Sequence, residues 1–72
     1  MKIITEIGIL VAKAQGLIAE NEYLAVLVKD IGMKEWVTYI KPIMEKNNSQ
    51  LEAANKSIKQ KVAALQLLNA KH

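Results

Sequence analysis

The chain contains no cysteine, no phenylalanine, no arginine and a single proline. Without cysteine there is no disulfide and no thiolate metal site. Aromatic residues make up only 4% of the 72 residues, so the rings that usually fill sandwiches and barrels are missing. All ten basic residues are lysines. Arginine is the usual bidentate reader of guanine and phosphate, and its absence argues against sequence-specific DNA recognition. Long hydrophobic runs are absent too. The most apolar stretch, Ile3–Ala19, is interrupted by Glu6, Lys13 and Gln15, whereas a spanning helix needs about 18 or more consecutive apolar residues. The same charges and the lack of a cleavage site argue against a secretory signal. The expected location is therefore cytoplasmic.

The side chains of hydrolytic and metal chemistry are equally sparse. The one histidine is His72, the last residue, expected to be a solvated tail. No HExxH, CxxC, GxxxxGK or GxSxG pattern occurs. The carboxylates are scattered, and Glu20 and Glu22 point to different helix faces. The sequence thus predicts no catalytic residue, no metal ligand and no cofactor, and a protein that is not an enzyme.

What is abundant is aliphatic residue, 51% hydrophobic overall, mixed with Ala, Lys, Glu and Gln. That composition is helical, and the length allows one domain, residues 1–72. In Met1–Ile31, Ile3, Ile7, Leu10, Ala14, Leu17, Asn21, Leu24, Val28 and Ile31 recur at alternating steps of four and three. This spacing holds side chains on one stripe of a helix. A second row, Ile4, Val11, Ile18 and Ala25, widens the stripe beyond a two-stranded coiled-coil seam, as in a bundle. A continuous helix here would be about 45 Å long. A compact chain of this size is only about 30 Å across. The rod should therefore outreach its own monomer, and the stripe Ile3, Ile7, Leu10, Ala14, Leu17, Asn21 and Leu24 is predicted to be an oligomer interface. Asn21 is then a polar residue on an apolar stripe, a device that fixes register and oligomer state. Gly8, Ala12 and Gly16 follow at steps of four. Each helical glycine costs about 1 kcal/mol against alanine, and close packing against another backbone would justify it.

Gly32 is the expected stop of the first helix. Met33–Glu45 then carries Trp36, Ile40, Ile43 and Met44 at helical spacing, with a kink or boundary expected at Pro42. Asn47-Asn48-Ser49 is the next expected break, with Ser49 and Glu52 forming a capping box. The third helix should run from Gln50 to about Leu68, its apolar stripe being Leu51, Ala54, Ile58, Val62, Leu65 and Leu68. The fold class is all-α: a long N-terminal helix, a short Pro-kinked helix and a C-terminal amphipathic helix, forming a helical hairpin or bundle completed by oligomerisation.

Charge divides unevenly. Up to Glu45 there are five lysines against six acids; from Lys46 onward there are five lysines against Glu52 alone. Two functions follow. The first is a small non-enzymatic helical homo-oligomer acting through protein–protein contacts, as an adaptor, inhibitor or assembly factor. In size and shape it parallels phage accessory proteins. The second is a binder of nucleic acid or a phosphorylated small ligand, using Lys56, Lys59 and Lys61 with Trp36 and Tyr39. A weaker third is an amphipathic helix lying on a membrane surface.

Overall fold

The computed structural model describes residues 1–70; His72 and the end of the expected fraying tail lie outside it. The described chain is helical, with no strand. Helix α1 spans Lys2–Val26, a one-turn helix α2 spans Val28–Ile31, and α3 spans Met33–Glu35. A π-helical turn at Trp36–Ile40 leads into α4, Lys41–Ala70. α1 and α4 pack against each other as an antiparallel hairpin measuring 57 × 14 × 14 Å.

α1 runs unbroken through Asn21, as the apolar periodicity requires. Its seam is identified by three cross-helix contacts. Lys61 meets Glu6, Asn47 meets Asn21, and the Trp36 indole meets the end of α1. Projected from these, Leu10 lies level with Ile58, Ala14 with Ala54, Leu17 with Leu51 and Leu24 with Met44. Ala14, Leu24, Asn47 and Ala54 are buried there, while Ile7, Leu10, Leu17, Met44, Leu51, Ile58 and Leu65 are only half-buried. Two helices cover a seam from two directions and leave its flanks open.

Three expectations are corrected. First, the rod does not outreach its own chain. α4, at 30 residues, is long enough to run alongside the whole of the 25-residue α1. The stripe Ile3, Ile7, Leu10, Ala14, Leu17, Asn21 and Leu24 therefore packs first on α4 of the same protomer. Second, no helix begins at Gln50. Asn47, Asn48 and Ser49 lie inside α4, and the capping box does not form. Asn and Ser are weak helix formers, costing about 0.5–0.7 kcal/mol each against alanine. That cost is outweighed because the 4-3 spacing of Ile40, Met44, Asn47, Leu51, Ala54 and Ile58 continues through them. Asn47 is needed on the seam. Third, the boundary expected at Pro42 falls just ahead of it, between the π-helical turn and α4, so Pro42 does not end a short helix but sits in the first turn of a long one. Ahead of it the backbone widens, the Lys41 N–H donating to the Trp36 carbonyl one residue further back than in an α-helix. A wider turn gives room where a proline ring otherwise collides with the preceding turn.

The first helix ends sooner than expected, at Val26, and after Leu27 the one-turn α2 carries the chain to Gly32, which stops it. Its φ of 87° and ψ of 158° fall in a region open almost only to glycine, beyond the left-handed helical one expected. This single residue reverses the chain between α2 and α3.

Candidate functional site

The polar cluster toward the turn end of the seam is the most organised set of side chains. The Asn47 Nδ2 group donates to Glu20 Oε1 at 2.8 Å and to Asn21 Oδ1 at 3.0 Å. Asn21 Nδ2 in turn donates to Asn48 Oδ1 at 2.9 Å. Both protons of the buried Asn47 amide are thus satisfied. Among the described residues no buried side-chain polar atom lacks a partner. The cluster consists of three amides and the exposed Glu20 carboxylate, held to one another across the two helices. What it supplies is alignment: one register satisfies every amide, and a slip of one turn breaks all three bonds.

At the turn, Trp36 Nε1 donates to the Leu24 carbonyl at 2.8 Å. That carbonyl lies at the C-terminus of α1, where it also accepts from the Leu27 N–H at 3.3 Å, a longer contact than the indole's. The indole both caps the helix and shapes a small apolar cleft of about 250 Å³ lined by Ala25, Val28, Met33, Trp36 and Met44. Tyr39 does not line it and is exposed. At the other end of the rod, Lys61 Nζ lies 2.9 Å from Glu6 Oε2, each side chain about one-third exposed. An ion pair that open to water contributes at most about 1 kcal/mol.

The predicted anion site is therefore dispersed. Lys61 turns into the seam and is already paired, leaving Lys56 and Lys59 exposed on the outer side of α4. Trp36 and Tyr39 lie some 20 residues earlier on the same helical run, about 30 Å away at 1.5 Å per residue. Rings and lysines do not converge. The predicted close-packing row is not used within the protomer either. A Cβ added at Gly8 or Gly16 would meet open space, and Ala12 is exposed. No group of three or more metal-ligating side chains is found among the described residues, and no described helix is long and apolar enough to cross a membrane.

The largest unexplained feature is apolar. Ile4, Val11 and Ile18 stay exposed along one flank of α1, Ile4 at 54% and Ile18 at 47%, with Val62 on α4. Ile9, Tyr23, Met33, Val37, Tyr39, Ile43, Leu67 and Leu68 are exposed elsewhere. Among the described residues no large side chain is fully buried. No protein-family model, curated protein or solved structure matches the chain.

Proposed function

We propose that the protein is a non-enzymatic helical interaction module that works as a homo-oligomer, engaging another protein as an adaptor, inhibitor or assembly factor. One observation supports this above the rest: the hairpin encloses Ala14, Leu24 and Ala54 but leaves a row of isoleucine and valine in water. A chain of 72 residues has little core to spare, and association is a common way such chains reach stability. The half-buried seam residues Ile7, Leu10 and Leu17 would be covered further by the same event.

Binding of nucleic acid or a phosphorylated ligand through Lys56 and Lys59 ranks second, because Lys61 is occupied by Glu6 and the aromatic residues are remote.

Thermal unfolding followed by circular dichroism over a hundredfold range of protein concentration tests the first reading. When folding is coupled to association, Tm rises with concentration. A Tm independent of concentration overturns it.

A further inference from the structure

We infer that the flank of α1 carrying Ile4, Val11, Ile18 and Ala25 is the contact between two copies of this chain, and that the two hairpins lie antiparallel, the turn of each beside the open end of the other. The inference rests on the self-association proposed above and assigns its face and direction.

Area comes first. The protomer exposes 5492 Å². A compact protein of 8.0 kDa exposes about 4,450 Å². The difference, about 1,000 Å², compares with the roughly 800 Å² each partner contributes to a standard interface. A rod exposes more than a sphere, and a second rod laid alongside removes that excess.

The choice of flank follows from sequence on the two sides of the seam. Ile4, Val11, Ile18 and Ala25 recur at steps of seven and form one row along α1 that winds by about 20° per step. On this flank the charges Glu22 and Lys29 stand one row outside the apolar row, at its rim, whereas the opposite flank carries Glu6, Lys13 and Glu20 directly beside the seam. Burying those charges would need partners that a second copy does not supply there. On α4, the side next to the apolar row offers Asn48 and Asn55 before Val62, so the dry part of the contact lies along α1.

Direction follows from charge. The open end carries Lys2, Lys59 and Lys61 against Glu6 alone. At the turn end, Lys29, Lys34 and Lys41 are balanced by Asp30, Glu35 and Glu45. Parallel hairpins would set two cationic ends side by side. Antiparallel ones set each against a neutral end. A two-fold axis near the middle of α1 then pairs Val11 with Ile18 and Ile4 with Ala25, a large side chain against a small one at each outer layer.

The absence of cysteine allows a direct test. Gly8 and Glu22 are exposed, and each lies one position beside the apolar row. Gly8→Cys and Glu22→Cys chains are mixed, oxidised mildly and weighed by intact mass. Antiparallel pairing predicts the mixed disulfide as the main product. Self-linked products in its place, or no linked product from a chain that sediments as an oligomer, overturn the arrangement while leaving self-association standing. A monomeric wild type overturns both. In parallel, Ile18→Lys should weaken association at least about a hundredfold, since each contact would bury an unpaired charge. Ile9→Lys, on the far side of α1 with Ile9 65% exposed, should leave association unchanged. The reverse order of these two effects, with helicity retained in both, overturns the choice of face.

Discussion

Asn21 and Asn47 face each other across the hairpin, Asn47 Nδ2 to Asn21 Oδ1 at 3.0 Å, each on the mainly aliphatic stripe of its own helix. Buried amides are weaker glue than leucine, and their value lies in rejecting other registers. Asn47→Ala should lower stability by about 1–2 kcal/mol in urea, because Asn21 and Glu20 lose their common donor. The double change Asn21→Leu with Asn47→Leu should resist urea better than the wild type, yet sediment as more than one species. A double variant that is less stable and still uniform would show that the amides stabilise rather than select.

Gly32 makes a separate prediction. Its φ of 87° excludes a side chain on conformational grounds, although a Cβ there would touch nothing. Gly32→Ala should cost about 1–3 kcal/mol, read from the denaturant midpoint. An unchanged midpoint would mean that the turn relaxes into another geometry at no cost.

The Trp36 indole holds the end of α1 at 2.8 Å. Trp36→Phe keeps an aromatic ring in place and removes the pyrrole with its donor. The expected loss is about 1 kcal/mol, and backbone exchange should speed up around Leu24–Gly32. Faster exchange spread evenly over both long helices would instead indicate a general loss of packing.

Much of this hairpin is legible from spacing alone, and the misreadings have a common cause. The 4-3 pattern of α1 predicts its unbroken course through Asn21. The same pattern runs from Ile40 to Ile58, but Asn47-Asn48-Ser49 reads locally as a break, because three weak helix formers in a row outweigh periodicity in a short window. The equivalence of Asn47 with Asn21 was the available signal: both stand at a seam position of their own repeat. Lys61 was obscured likewise. A lysine on an apolar stripe suggests that Val62 carries the seam, until Glu6 opposite it is seen to take the charge. The π-helical turn before Pro42 has no signature beyond the proline itself.

Gly16 gives a test of opposite sign. It is exposed on α1, away from the proposed contact, with open space where a Cβ would stand. Gly16→Ala should raise stability by about 0.5–1 kcal/mol through helix propensity. A loss would show that another backbone packs on that surface in the assembled protein.

The measurement closest to the central claim is sedimentation equilibrium of the full chain at micromolar concentration and physiological salt. A second copy on the Ile4–Val11–Ile18 flank predicts a mass of about 16 kDa, twice the 8.0 kDa of the chain. A fully helical species that remains at 8.0 kDa contradicts it, for the apolar flank of α1 would then be stable in water uncovered.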